Sequence, residues 1–213
     1  MVQLQAKSLT DAWMNATWDQ YLEIVENPIY AKAKGYFFDG QMKVETMGVG
    51  AEHGLDNGII SSVIFLVCLL RGIPIKGLIN ASYRQPDVKE VQPDISYYIG
   101  DRVSLTPQGS AIIDLDQVAC PDLVIEIADS TINDDLGKKR LIYEDLGIAE
   151  YWVIDVEKAQ VIAFQIVSNG SQRITQSQVL PGLEIALVQE ALERRRQMDD
   201  TQVGAWLMTH FQK

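Results

Sequence analysis

A chain of 213 residues with 47% hydrophobic and 22% charged residues holds enough apolar material for one well-buried core, which excludes a disordered or low-complexity protein. Its 18 Lys and Arg against 29 Asp and Glu give a net charge of −11 at pH 7, which opposes unspecific binding to a phosphate polyanion. Cys68 and Cys120 make neither a disulfide framework nor a C-x-x-C metal site, no signal-peptide core opens the chain, and the greasiest stretch, Ile59 to Leu70, is too short to span a bilayer. A single cytoplasmic domain over residues 1–213, with no membrane segment, is therefore expected.

In chain order, Ser8 and Thr10 are candidate N-caps for an N-terminal helix over 9–27, with Trp13, Trp18, Leu22 and Val25 near helical spacing and Asn27-Pro28 as its stop. Two short runs around Asp39-Gly40, residues 35–39 and 41–47, predict a hairpin. From Glu52 to Gly72 an apolar stripe of Leu55, Ile59, Val63, Leu66 and Leu70 is widened by Ile60, Ile64, Phe65 and Val67, which predicts a mostly buried helix. Strands are expected at 75–83, 95–99 and 123–128, a helix at 133–146 ending on Gly147, and strands at 150–156 and 160–167, with an edge strand at 173–179. Pro181-Gly182 then leads into two C-terminal helices within 185–212, broken at Asp199-Asp200. The alternation predicts an α/β fold, a mixed sheet flanked by helices, with its core over about 34–180.

Two strands begin alike: Pro93-Asp94 before ISYYI and Pro121-Asp122 before LVIEIA. Proline suits a strand's first position. In the second strand Leu123, Val124, Ile125, Ile127 and Ala128 form a continuous apolar run, the mark of a strand covered on both faces, yet Glu126 sits inside it. A buried ionised carboxylate costs several kcal/mol unless a cation or a hydrogen-bond network compensates it. The plain alternative is a half-exposed strand with Glu126 facing solvent. In the helix that follows, Leu136, Ile142, Tyr143 and Leu146 share one arc, and Lys139 lies near its centre. Its plain alternative is an i,i+4 pair with Asp135, the ammonium reaching out to solvent. Two carboxylates and an inward ammonium meeting at one point would suit Mg²⁺ or Mn²⁺ and phosphodiester hydrolysis.

The segments VQPDISYY, CPDLVIEIADST and DDLGKKRLIYEDLGIAEYWVIDVE, in that order, resemble the Uma-type family of restriction-endonuclease-like bacterial proteins within the PD-(D/E)XK nuclease superfamily. The resemblance runs from the hairpin through EYWVID and takes in PGLEI and the terminal helices. It implies a restriction-endonuclease-like core and a metal-dependent endonuclease acting on nucleic acid, with DNA as substrate and Mg²⁺ or Mn²⁺ as cofactor. It also implies that Asp94 and Glu126 are the metal ligands. Ala128 occupies the place where the E-x-K form puts its lysine, so the resemblance assigns that role to Lys139 in the next helix, with Lys138 as the fallback. Glu45 and His53 resemble family positions that could add a third carboxylate and an imidazole; their plain readings are an exposed strand residue and a first-turn helix residue. Tyr143 reads as core, and Asp122, Asp129, Asp134 and Asp135 as strand-starting, solvated or helix-capping acids.

Gly48-Val-Gly50-Ala-Glu-His53 lacks the third glycine of a dinucleotide loop, no G-x-S-x-G elbow occurs, and two histidines are too few for a His-rich zinc site. The rival reading is a catalytically inactive nuclease-fold protein acting as a binding or regulatory dimer. A homodimer is expected on either reading, because the 52–72 helix and the terminal helices offer more apolar surface than one small domain covers. The basic clusters are Lys138-Lys139-Arg140 and Arg194-Arg195-Arg196, the latter read as a solvated helical face, with a DNA-backbone contact as the alternative.

Overall fold

The computed structural model describes residues 11–46, 48, 50–168 and 170–211. In chain order they form β1 (Met14–Asn15), α1 (Trp18–Val25), β2 (Lys34–Phe38), β3 (Gln41–Glu45), α2 (Ala51–Arg71), β4 (Ile75–Ile79), β5 (Tyr83–Gln85), β6 (Lys89–Val91) and β7 (Ile95–Ile99). There follow β8 (Ile113–Asp114), β9 (Leu123–Ala128), α3 (Ile132–Leu136), α4 (Lys138–Asp145), β10 (Glu150–Asp155), β11 (Gln160–Val167), β12 (Gly170–Arg173), α5 (Ile185–Arg195) and α6 (Asp200–Phe211). Where the sequence suggests one domain around one mixed sheet, the chain forms two compact units, each built on its own six-stranded mixed sheet.

The first unit comprises residues 1–49, 80–92 and 107–119, with strand order β1-β3-β2-β6-β5-β8. Its hairpin forms as expected: Phe38 pairs with Gln41, and Asp39 and Gly40 both take positive φ, 49° and 64°, the twist that a two-residue turn between right-twisted strands demands. The N-terminal helix is shorter than expected. Thr17 caps it through a reciprocal box, its Oγ1 accepting from the Gln20 N–H at 3.3 Å while Gln20 Oε1 accepts from the Thr17 N–H at 2.9 Å. That box fixes the start at Trp18, so Trp13 lies outside the helix and Met14 and Asn15 add a short strand against β3. The proposed caps Ser8 and Thr10 lie outside the described residues.

The second unit comprises residues 50–79, 93–106 and 120–213, with strand order β12-β11-β10-β9-β7-β4. Strand alternation sorts its side chains between two faces. Ile95, Tyr97, Leu123, Ile125, Ile127, Trp152, Ile154, Val161 and Ala163 share a buried core with Ile59, Val63 and Val67 of α2 and with residues of α5 and α6. The residues between them in sequence, Glu126, Tyr151, Val153 and Phe164 among them, belong to the opposite face, where Tyr143 of α4 packs against Tyr151.

The structure corrects four expectations. The single helix expected at 133–146 is two, broken at Gly137, whose φ and ψ of −103° and −107° leave the helical region. A Cβ on Gly137 would lie 2.7 Å from the Asn133 carbonyl oxygen, so a side chain there would force the break to move. The expected strand at 75–83 divides at Asn80 into β4 and β5, which belong to different sheets, and the edge strand ends at Arg173 instead of running through 173–179. Finally, α2 buries one side only: Leu55, Phe65, Leu69 and Leu70 are 41–62% exposed. It is also the one helix, among the described residues, whose length and hydropathy fit a bilayer, though its Ile59, Ile60, Val63, Ile64 and Val67 belong to the core seam.

Candidate active site

Both Pro-Asp pairs close the same ladder from opposite ends. Strands β7 and β9 run antiparallel with Ile95 across from Ile125. Asp94 Oδ2 accepts the Ile127 N–H at 2.7 Å, and Asp122 Oδ2 accepts the Ile99 N–H at 2.8 Å, so each aspartate takes a backbone donor from the far end of its neighbour strand. Carried one residue beyond Ile95, the register sets Asp94 across from Glu126. Asp94 is 3% exposed and Glu126 1%, which excludes the reading of Glu126 as a solvent-facing strand residue.

Glu126 Oε1 accepts a hydrogen bond from the Tyr143 hydroxyl at 2.7 Å, so the tyrosine read as core from sequence is also a polar support. His53, in the first turn of α2, places Nε2 3.3 Å from Asp94 Oδ2. Lys139 points inward as the helical arc predicts; it is buried, with Nζ 2.9 Å from Asp135 Oδ1. The i,i+4 pair therefore forms, but its ammonium does not reach solvent, and Asp135 is a buried acid instead of the solvated or capping one expected. Thr131 donates to Asp135 Oδ2 at 2.5 Å and holds the carboxylate toward the lysine.

Tyr151 links Tyr143 to Asp135. Its hydroxyl donates to the Asp135 carbonyl at 2.9 Å and its ring lies 4.8 Å from that of Tyr143. Burial pushes its phenol well above the usual range, and the carboxylates of Asp135, Glu126 and Asp94 push it further while Lys139 opposes them. A chain of contacts thus runs from Glu126 through the Tyr143 and Tyr151 rings to Asp135 and its partner Lys139. Glu45 belongs to the other compact unit, where its Oε1 lies 3.0 Å from Lys43 Nζ and its side chain is 15% exposed.

Asp94 and Glu126 are two buried carboxyl groups set across from each other, and Tyr143 and Tyr151 link Glu126 to the buried Asp135–Lys139 pair. Such a donor set fits a hard divalent cation, and Mg²⁺ in particular needs only one or two carboxylates, keeping water or phosphate oxygens as its other ligands. Among the described residues no three His, Cys, Asp or Glu side chains are drawn together tightly enough to cage a metal by themselves. The residues present whose chemistry suits such a cation are Asp94 and Glu126.

A family model for Uma2, described as "Putative restriction endonuclease", matches residues 18–200. The chain belongs to the Uma2 family. The matched span contains Asp94, Glu126, Lys139 and His53 together with their partners Asp135, Tyr143 and Tyr151. A solved structure described as "a putative nuclease belonging to DUF820" from Anabaena variabilis ATCC 29413 superposes with a TM-score of 0.55 over 90% of the Uma2 chain and 98% of its own, at 18% identity. At that identity the likeness carries the fold, an α/β restriction-endonuclease-like architecture. No curated protein matches this Uma2 sequence.

Proposed function

We propose that this Uma2 chain is a metal-dependent endonuclease that hydrolyses phosphodiester bonds of nucleic acid, with DNA as its substrate. One observation carries the reading: Asp94, just before β7, and Glu126, on β9, are buried across from each other, and contacts through Tyr143 and Tyr151 link Glu126 to the Asp135–Lys139 pair. In this reading Asp94 and Glu126 hold Mg²⁺ or Mn²⁺ through carboxylate oxygens. The bound cation would lower the pKa of a water molecule and offset phosphate charge. Lys139 offers an ammonium to the charge that builds on the phosphorus-bound oxygens as the bond breaks. The remaining side chains orient these three: Asp135 holds the lysine, Tyr143 holds Glu126, and His53 lies against Asp94.

The test is Mn²⁺ titration by calorimetry together with cleavage of plasmid and single-stranded DNA. An Asp94→Asn/Glu126→Gln variant keeps the acceptors that Ile127 and Tyr143 need, so it should stay folded. It should lose more metal affinity than the ~10–100-fold that removing a supporting partner costs, and it should lose cleavage with it. Equal Mn²⁺ binding by both proteins, with no nucleic acid cut, would leave instead a nuclease fold that serves in binding or regulation.

In this reading the protein acts as a homodimer. Phe65 and Leu69 of α2 are 57% and 62% exposed, and beside them α2 and α6 border a cavity of about 230 Å³ lined by Ile59, Ser62, Phe65, Leu66, Gly204 and Leu207 with Asp200. A second copy meeting the first along this face would remove the apolar side chains from water and would supply a second active site for the other strand.

A further inference from the structure

The face of the sheet that carries Glu126 does not end at the acidic site. Tyr151 on β10 pairs with Phe164 on β11, and Phe164 pairs with Arg173 on the edge strand β12, so the three form one cross-strand row on a single face. Glu126 pairs with Val153, two residues from Tyr151, and so lies in the adjacent row of that same face. The Tyr151 and Phe164 rings stack at 6.5 Å, and the guanidinium carbons of Arg173 and Arg140 both lie over the Phe164 ring, 5.5 and 5.1 Å from its centroid. Arg140 follows Lys139 directly on α4.

Two guanidinium groups at one aromatic ring are an unusual concentration of positive charge in a chain of net charge −11. Arg173 is exposed and lies against that ring; Arg140 has the Glu144 carboxylate near it, with Oε1 at 3.5 Å, and the same oxygen accepts from the Ser171 hydroxyl at 2.5 Å. Stacking on a ring fixes the guanidinium plane while leaving its N–H edges directed outward, the arrangement that grips a phosphate with two parallel hydrogen bonds. Three strand spacings separate Glu126 on β9 from Arg173 on β12, about 14 Å, which is the rise of about four nucleotides along one strand of a duplex.

We infer that Arg140 and Arg173, held against Phe164, are a backbone-phosphate clamp that grips the nucleic acid a few nucleotides from the bond positioned at Asp94 and Glu126. The inference rests on the nuclease reading for its choice of ligand, but it is tested without cleavage. The clamp accounts for how an acidic protein engages a polyanion: it presents two focused cations, one from α4 and one from the edge strand, at one aromatic ring in place of a basic surface.

The experiment measures binding of a fluorescent duplex of arbitrary sequence to the full chain, in EDTA, between about 50 and 200 mM salt. The Arg140→Ala/Arg173→Ala variant should flatten the dependence of log affinity on log salt by about two, one for each phosphate that the clamp no longer neutralises, so that its salt sensitivity over this range is about tenfold smaller than the parent's. Should the double variant melt abnormally, Arg173→Gln alone, at an exposed position, should flatten the slope by about one. An unchanged slope and affinity in a folded variant would overturn the clamp, as would a parent that binds no duplex at the lowest salt. Asp94→Asn/Glu126→Gln, measured in parallel, should keep the parent's slope. A protein that binds through the arginines yet cuts nothing retains the clamp and loses the enzyme, and one that cuts with an unchanged slope does the reverse.

Discussion

Lys139 and Asp135 are 2% and 1% exposed at their side chains, and each is what makes the other tolerable in the interior. Removing either partner leaves a buried charge without its counterion, at a cost of about 3–5 kcal/mol, whereas removing both also removes the desolvation penalty they share. Lys139→Ala and Asp135→Ala are therefore each expected to lower the urea midpoint sharply, and the double variant to lose less than the two single losses added together. A double variant whose loss equals that sum would show that the two side chains act independently and that the 2.9 Å contact is not an energetic unit. The pair also limits how the lysine can serve catalysis: its ammonium is fixed by Asp135 before any substrate arrives, which suits a preorganised positive charge better than a mobile one.

At the scale of elements, α2 and α5 are fastened by charge as well as by apolar packing. Arg195 donates to Glu52 at 2.7 Å and lies 2.7 Å from Asp56 Oδ1, with Asp56 1% exposed in the first half of α2. Burial raises the Asp56 carboxyl above its ordinary value, with Arg195 pulling against that shift. For an acid raised in the folded state, the folded protein holds the proton more tightly than the unfolded chain. That contribution is fully present below the ordinary carboxyl range and is lost as pH rises through the folded value. Arg195→Ala removes the opposing cation, so it should destabilise by about 3–5 kcal/mol at neutral pH, when Asp56 must be buried as an anion. The deficit relative to the parent should shrink as pH falls from neutral toward the carboxyl range, in melting curves recorded side by side. A deficit independent of pH would mean that the arginine stabilises by packing of its stem alone.

For the whole molecule, the dimer proposed above rests on the outward side of α2. If two copies meet there, Phe65→Glu should convert a dimer into a monomer in light scattering while leaving the melting of the isolated fold nearly unchanged, because Phe65 is 57% exposed and leaves no cavity behind. A parent that scatters as a monomer at high concentration would end the dimer proposal. The same helix shows how far pattern reading reaches. Apolar residues widening the stripe nearly all round predict a mostly buried helix, yet Phe65 and Leu69 stand exposed while Asp56 is buried, since what a helix buries depends on which neighbours arrive. Local chemistry was legible wherever it was self-sufficient: the Asp39-Gly40 hairpin, the proline-led strands, the unbroken apolar run around Glu126 and the inward arc of Lys139 each follow from short-range geometry. What the sequence could not determine was the division of strands between two sheets at Asn80, the break at Gly137, and the contacts by which Tyr143 supports Glu126 and Tyr151 joins Tyr143 to Asp135. Those outcomes depend on contacts between residues distant in the chain, and a periodicity that reports which side of an element is apolar carries no record of which partner will face it.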